Sequence, residues 1–271
     1  MLALSHVLHI VTGNRHAFED ISLLFKGLII GLCFFCSHIM AQESVTLQLK
    51  WTHQFQFAGY YMAKQKGFYN DVGLDVTIKQ ANPMKPDTFG PVASGEAQFG
   101  VGHSGILQQR INGQPLVAMA ALLQFSPYCW MVKDTSDIFH PRDFVNKRIT
   151  AVSLKDSTEL LVMLKRSGVG VGNLKVYDGG NPAQAWIENK LDAMQVYVTT
   201  EPYYMTQQGV AHRLVCPQRY GMDVYSDILF TSENMLKKSP QTVEKFYQAS
   251  LKGWRYAMMN MDEAIAVTQQ N

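Results

Sequence analysis

Two short stretches hold residue types that suit recognition of a flat, uncharged ring. The first, LKWTHQFQFAGYYMAKQKGFY at 49–69, contains one Trp, three Phe, three Tyr and one His, but no acidic residue. The second, VYVTTEPYY at 196–204, places Tyr197 four residues before Glu201. Aromatic side chains stack on a ligand ring, and a carboxylate accepts charge-assisted hydrogen bonds from an amine. The pattern therefore favours binding of an amino-substituted heterocycle.

Each of these side chains also has an ordinary structural role, and the sequence leaves both roles open. Trp51 continues the alternation of a predicted strand and could complete a core. Glu201 precedes Pro202 at a predicted helix start, where the helix dipole favours a carboxylate. Tyr60 and Tyr61 are adjacent on a predicted helix, so we expect one to pack inward and the other to line a cleft or the surface.

Further candidates lie in the turns that follow predicted strands. His53 and Gln54 can hydrogen-bond the polar edge of a ligand. The GVGHSG turn at 100–105 lets the backbone approach a ligand, and the SLKDST turn at 153–158 offers hydroxyls and helix-start amides. Ordinary helix capping explains both turns equally well. The candidate ligand-binding residues are Trp51, His53, Gln54, Tyr60, Ser104, Ser153, Ser157, Tyr197 and Glu201.

Alternating strand and helix patterns must position these residues. Apolar and polar residues alternate with a period of two at 45–51, which predicts a strand, and a helical stretch follows from Ala58 to Gly67. Two such β/α sets of roughly 90–100 residues predict an α/β protein of two lobes with largely parallel sheets. Ligands of such sheets bind at the carboxyl ends of strands.

Composition excludes some classes of protein. The formal net charge of +2 and the absence of a dense Lys/Arg block argue against nucleic acid as a partner. No zinc motif, nucleophile elbow or phosphate-binding loop is present. Residues 1–41 end in a short apolar run and a small residue, which predicts a secretory signal peptide, with an uncleaved membrane anchor as the alternative.

Export would leave two cysteines, Cys129 and Cys216. The sequence leaves open whether they form a disulfide or stay as two buried thiols. The chain ends in AIAVTQQN without a helix-ending signal, so we expect that a longer protein continues beyond it.

The long first motif, together with GEAQFGVGHSGIL and VYVTTEPYY, resembles the family of thiamine-pyrimidine precursor-binding proteins. That family includes periplasmic formylaminopyrimidine-binding proteins, which are relatives of the sulfonate-binding proteins, and fungal pyrimidine synthases. The resemblance covers about residues 45–260 and implies a type II periplasmic-binding-protein fold. It implies one lobe from 45–125 with about 230–271, and a second from about 126–229, with a ligand cleft between them.

The resemblance also implies roles for single residues. In pyrimidine-binding members a Trp and a Tyr sandwich the ring, and a Glu four residues after that Tyr hydrogen-bonds it; Trp51, Tyr197 and Glu201 match this pattern. Those members commonly carry a Pro-Asn pair after the Trp, whereas this chain has THQFQF. The polar edge of the ligand is therefore expected to differ.

Three functions follow from the resemblance. The leading one is a periplasmic solute-binding protein without cofactor or metal that delivers a thiamine pyrimidine precursor, or a similar flat heterocycle, to an ABC importer. The HQFQFAGYY version also resembles the sensor domains of membrane histidine kinases and diguanylate cyclases, which would signal through a downstream domain. A pyrimidine synthase would consume pyridoxal phosphate and need iron; Lys64 or Lys66 could then hold the phosphate cofactor, but a Cys-rich motif is absent.

Overall fold

The computed structural model describes residues 42–82, 86–150 and 158–271. The predicted signal peptide, residues 1–41, lies outside the described residues.

Ten strands and nine α-helices lie in the described part of the chain. The strands are β1 (Glu43–Gln48), β2 (Leu74–Lys79), β3 (Phe99–Gly102), β4 (Leu116–Leu123), β5 (Tyr128–Lys133), β6 (Arg148–Thr150), β7 (Lys175–Val176), β8 (Ala193–Tyr197), β9 (His212–Val215) and β10 (Ser226–Ser232). The helices are α1 (Ala58–Gln65), α2 (Phe89–Ser94), α3 (Ile106–Ile111), α4 (Thr158–Arg166), α5 (Pro182–Ile187), α6 (Glu201–Gln207), α7 (Glu233–Lys238), α8 (Pro240–Met259) and α9 (Met261–Thr268). None of the helices in the described residues is both long enough and apolar enough to cross a membrane.

The strands form two five-stranded sheets, each of which is the centre of one lobe. The first lobe has the strand order β2-β1-β3-β10-β4, and the second has β7-β6-β8-β5-β9. The predicted two-lobed α/β fold is therefore confirmed. The prediction of largely parallel sheets is wrong, because β10 runs antiparallel to β3 and β4, and β5 runs antiparallel to β8 and β9.

The chain crosses between the lobes twice. The first crossing, 124–127, leads from β4 to β5, and the second, 216–225, returns from β9 to β10. The strands at either end of the crossings are neighbours in their sheets, since β4 pairs with β10 and β5 pairs with β9. The side-chain amide of Gln218 donates to the carbonyl oxygen of Ser126, so a hydrogen bond also joins one crossing to the other.

A disulfide joins Cys129 of β5 to Cys216, which directly follows β9. The Cα atoms of the two cysteines are 4.4 Å apart. Antiparallel pairing of Trp130 with Val215 brings them together. The sequence left the pairing open because 87 residues separate the two cysteines.

Most of the aromatic residues in the first motif build the core of the first lobe. Phe57, Tyr60, Tyr61 and Tyr69 are buried there, and the ring of Tyr69 stacks on Phe246 of α8 at a centroid distance of 5.2 Å. Helices α1 and α8 approach closely at two glycines: a Cβ atom added at Gly253 would lie 2.2 Å from the carbonyl oxygen of Gly59. The close approach fixes α1 against α8, and with it the end of the segment 49–57 that carries Trp51.

Candidate functional site

A cleft lies between the two lobes, with about 940 Å³ of empty space, part of it open to solvent. Both lobes contribute side chains, as expected for a site at strand ends. The lining residues are Lys50, Trp51, Gln54, Gln56, Pro86, Asp87, Thr88, Phe89, His103, Gln109, Tyr128, Gln195, Val196, Tyr197, Thr200 and Glu201.

Three aromatic residues at strand ends form flat surfaces in the cleft. Trp51 follows β1 and is partly buried, because it also packs against the core of the first lobe. Tyr128 and Tyr197 are paired residues of β5 and β8, and their rings meet edge to face at 5.6 Å. The indole therefore packs against the core and also lines the cleft, and its stacking on a ligand stays a prediction.

Glu201, the first residue of α6, places a carboxylate in the cleft. Its Oε2 accepts a hydrogen bond from the backbone amide of Tyr197 at 2.8 Å. Burial raises the pKa of Glu201, while hydrogen bonds from the amides of Tyr197 and of Glu201 itself partly oppose the rise. A group held in this way gains from a ligand that donates hydrogen bonds to it, because such a ligand replaces the lost water.

A buried ion pair between Lys50 and Asp227 lies at the cleft, and neither residue was a candidate from the sequence. Lys50 is 6% exposed and Asp227 is 2% exposed. The Lys50 ammonium also donates to the Ser226 hydroxyl at 3.4 Å. Burial by itself lowers the pKa of Lys50, but Tyr128 and Asp227 outweigh that effect and raise the pKa above the ordinary 10.5. The ammonium therefore stays charged despite its burial.

The backbone at Asp227 is unusual. Its φ of +47° is in the left-handed region, which few residues other than Gly adopt and which Asp and Asn tolerate best. The residue lies near the start of β10, where the chain re-enters the first sheet. The conformation places the carboxylate where Lys50 and the hydroxyl of Tyr197 both reach it.

Tyr197 and Tyr128 of the second lobe contact this ion pair of the first lobe. The Tyr197 hydroxyl donates to the Asp227 carboxylate, with both oxygens 3.2 Å away. The Lys50 ammonium lies 5.0 Å from the ring centroid of Tyr197 and 5.3 Å from that of Tyr128, within cation–π distance. The pair therefore connects the two walls of the cleft.

A second polar cluster joins the lobes beside the first crossing. Glu159, near the start of α4, is 1% exposed and accepts hydrogen bonds from the hydroxyls of Ser104 and Ser126, each at 2.7 Å. Ser104, a predicted ligand-binding residue, does not line the cleft and instead bonds to Glu159. Its position after β3 was predictable from the sequence, but its partner in the other lobe was not.

The structure brings four of the predicted residues to the cleft: Trp51, Gln54, Tyr197 and Glu201. Besides Ser104, two of the described candidates lie elsewhere, His53 and Tyr60. The ring nitrogen Nδ1 of His53 is 3.0 Å from the Tyr61 hydroxyl, and burial lowers the pKa of this histidine. Tyr60 is completely buried, with its ring edge to face with Trp254.

The expectation that Tyr60 and Tyr61 face opposite environments is wrong, since both are buried. The reason is that α1 is covered by α8 and α9 as well as by its own sheet, which leaves little of its surface in solvent. The amphipathic pattern of one helix predicts one buried face, and it does not show that other helices bury the opposite face.

The other predicted residues are accounted for as follows. Lys64 and Lys66 are exposed at the end of α1, outside the cleft, and Lys66 forms an ion pair with Glu263. Ser153 and Ser157 lie outside the described residues. Within residues 42–82, 86–150 and 158–271, no group of three or more His, Cys, Asp or Glu side chains could hold a metal ion.

His103 is a lining residue that sequence reasoning missed, although the turn that holds it was noticed. Its Nδ1 accepts the backbone amide of Gly105 at 3.0 Å, and its ring lies edge to face with Phe89. The position of His103 directly after a strand could have identified it as a candidate. The same holds for Lys50, the last polar residue in the alternating pattern at 45–51.

Replacing Trp51 by alanine is expected to weaken ligand binding by about 1–3 kcal/mol, since stacking on an aromatic side chain contributes that much per ring. Trp51→Phe should retain most of the affinity. Tyr60→Phe is the control, because it changes an aromatic residue that does not line the cleft. Calorimetric titration measures all three, and unchanged affinity in Trp51→Ala would assign the indole to the core alone.

Two α/β lobes with a ligand cleft at the strand ends define the type II periplasmic-binding-protein fold. The structure is similar to that of the periplasmic aliphatic sulphonate binding protein SsuA from Escherichia coli, with a TM-score of 0.64, 14% identity, and coverage of 84% of this chain and 78% of that one. The profile of the family described as NMT1/THI5 like matches residues 54–264. The chain belongs to this family.

Three relatives are each 25% identical to this chain. The riboflavin-binding protein RibY of Chloroflexus aurantiacus aligns over 84% of this chain, which spans 66% of that protein. The formylaminopyrimidine-binding protein of Halalkalibacterium halodurans aligns over 94% of this chain and 79% of its own length. The 4-amino-5-hydroxymethyl-2-methylpyrimidine phosphate synthase THI11 of Saccharomyces cerevisiae aligns over 81% of this chain and 68% of its own length.

Proposed function

We propose that this protein is an exported solute-binding protein that captures a thiamine pyrimidine precursor, or a similar flat heterocycle with an amino group, for an ABC importer. The observation that carries the proposal is the arrangement of Trp51, Tyr197 and Glu201 in one cleft. Two aromatic faces supply stacking, and a partly buried carboxylate supplies the acceptor for an amine.

The names of two relatives support a flat, ring-shaped ligand. Their names assign formylaminopyrimidine to one and riboflavin to the other, and both molecules are flat heterocycles. Capture in the periplasm agrees with the disulfide between Cys129 and Cys216, since disulfides persist in oxidising compartments.

The charges of the cleft favour such a ligand over a sulfonate. Among its described lining residues, Lys50 is the one ammonium or guanidinium, and Asp227 already neutralises it. Asp87 and Glu201 add carboxylates to the lining. A sulfonate or phosphate would face these carboxylates without an unpaired cation of the described lining to offset them.

The synthase alternative finds little support in the described residues. Lys64 and Lys66, the candidate cofactor lysines, are exposed at the end of α1 and do not line the cleft. Cys129 and Cys216 are bonded to each other, so neither thiolate is free to bind iron.

The experiment that tests the proposal is calorimetric titration of the purified protein with formylaminopyrimidine, 4-amino-5-hydroxymethyl-2-methylpyrimidine, thiamine, riboflavin, pyridoxal phosphate and an alkanesulfonate. Tight binding of one of the flat heterocycles without a metal is expected. Binding of the sulfonate alone would refute the proposal, and binding of pyridoxal phosphate with a Schiff-base absorbance would favour the synthase.

Glu201→Gln is expected to weaken binding of 4-amino-5-hydroxymethyl-2-methylpyrimidine by about 1.5–3 kcal/mol, the typical contribution of a hydrogen bond to a charged group. The glutamine carbonyl can still accept the Tyr197 amide, so the fold is preserved. The comparison ligand is 5-hydroxymethyl-2-methylpyrimidine, which lacks the amine and should lose much less. Equal losses for both ligands would show that Glu201 does not accept from the amine.

A further inference from the structure

Tyr197 contacts polar groups at both of its ends, the backbone amide and the side-chain hydroxyl. At the backbone end, the amide of Tyr197 donates to Glu201, which lines the cleft. At the far end, the hydroxyl donates to Asp227, the partner of Lys50. A ring that stacks along Tyr197 therefore has a hydrogen-bond acceptor at one end and the Lys50 ammonium at the other.

The Lys50 ammonium and the Tyr128 hydroxyl form one group of hydrogen-bond donors at the cleft, because the two side chains also hydrogen-bond each other. An ammonium group carries three hydrogens. The Asp227 carboxylate and the Ser226 hydroxyl accept from it, and Lys50 is itself a lining residue of the cleft. Tyr128, whose ring centroid lies 5.3 Å from Nζ, lines the same part of the cleft and carries a second donor, its hydroxyl.

The charges near Nζ determine which acceptor fits. Asp227 is bonded to the ammonium, and the carboxylate of Glu159 also contributes to the electrostatic environment of Lys50. Two carboxylates around one ammonium give this end of the cleft no net positive charge. A full anion would meet them at a cost, whereas a neutral carbonyl oxygen accepts a charge-assisted hydrogen bond without that repulsion.

We propose that Lys50, held by Asp227, is a specificity-determining residue that selects ligands with a neutral carbonyl acceptor in addition to the amine bound by Glu201. This inference rests on the proposed function and narrows its ligand class to heterocycles that carry both groups, such as an amino ring with a formamide or a ring carbonyl.

A matched pair of probes isolates the carbonyl. Formylaminopyrimidine carries the amino ring and a formyl oxygen, whereas 4-amino-2,5-dimethylpyrimidine carries the same ring and amine without that oxygen. The wild-type protein is expected to prefer the formyl probe by about tenfold to a hundredfold, the range of a hydrogen bond to a charged donor. Calorimetric titration gives both affinities.

The decisive variant is the double substitution Lys50→Met with Asp227→Asn, which removes both charges and leaves neither unpaired. Asparagine tolerates the left-handed backbone at this position and can still accept from the Tyr197 hydroxyl. The ratio of the affinities for the formyl and dimethyl probes is expected to fall to about one, because the charged donor to the formyl oxygen is gone. A retained preference would overturn the inference.

The single variant Asp227→Asn provides a test with the opposite sign. It keeps the ammonium but removes the carboxylate that neutralises it. Affinity for 4-amino-2-methylpyrimidine-5-carboxylate is expected to rise about tenfold or more, because the charged acceptor then meets an uncompensated cation. No gain for the carboxylate probe would argue that Lys50 does not reach the ligand.

Different results would overturn the proposed function and the role of Lys50. If the wild-type protein binds neither pyrimidine probe, the proposed function is wrong, and the inference falls with it. If it binds both with equal affinity, the solute-binding function stands, and the assignment of Lys50 is wrong.

Discussion

Asp227→Ala is expected to lower the free energy of unfolding by about 3–5 kcal/mol, the usual cost of removing one partner of a buried ion pair. The Lys50 side chain would remain buried without its carboxylate partner, and the Tyr197 hydroxyl would lose its acceptor. Alanine would also have to adopt the left-handed backbone that aspartate tolerates. Urea denaturation measures the change.

Two further variants separate these contributions. Asp227→Asn retains the backbone preference and the hydrogen bond from Tyr197, so it should be less destabilising than alanine. Adding Lys50→Met should recover most of the loss, because no charge is then left without a partner. An alanine variant within about 1 kcal/mol of wild type would contradict the account, since that is less than the cost of an unpaired buried charge.

The pH dependence should also change. In the wild-type protein the pKa of Lys50 is raised above 10.5 in the folded state. The stability from that shift is therefore fully present below pH 10.5 and is lost as the pH rises through the folded-state pKa. In Asp227→Ala burial acts with less opposition and lowers the pKa, so the deficit of this variant should shrink as the pH rises towards 10.

Reduction of the disulfide between Cys129 and Cys216 is expected to cost about 2–4 kcal/mol of unfolding free energy. The bond closes a loop across 87 residues, which includes nearly the whole second lobe. A disulfide that closes so long a loop restricts the conformations of the unfolded chain. Breaking it restores that freedom and therefore favours unfolding. Thermal unfolding with and without dithiothreitol measures the effect.

The double variant Cys129→Ala with Cys216→Ala serves as the control, because dithiothreitol should no longer change its stability. Reduction should leave the stacking and carboxylate groups of the cleft in place, since β5 still pairs with β8 and β9. A wild-type melting temperature that is insensitive to dithiothreitol, with the thiols confirmed free, would contradict the prediction.

Local patterns made much of the fold predictable. Alternation of apolar residues located β1, and the helical stretch predicted from Ala58 located α1, which ends two residues before Gly67 in the left-handed conformation. Strands β5 and β9 escaped prediction. The central residues of β5 are all buried, so its sequence lacks alternation, and β9 has four residues.

Cleft residues were predictable from the sequence where the type and position of a single residue suggest its chemistry. Trp51 and Tyr197 are large aromatic residues at strand ends, and Glu201 starts a helix four residues after Tyr197. The ion pair was not predictable in this way, because 177 residues separate Lys50 from Asp227. A lysine after a strand and an aspartate before one are ordinary until the fold places them together.

The two crossings between the lobes act together as one mechanical joint. They leave from adjacent strands of the first sheet, arrive at adjacent strands of the second, and are joined by the Gln218–Ser126 hydrogen bond. The disulfide pins their ends in the second lobe, since Cys129 follows one crossing closely and Cys216 begins the other. Two tethers fixed side by side resist torsion but bend readily about a common axis. We therefore expect a closure of the lobes to follow a single bending path, which would return Tyr128 and Tyr197 to the same alignment with Trp51 each time.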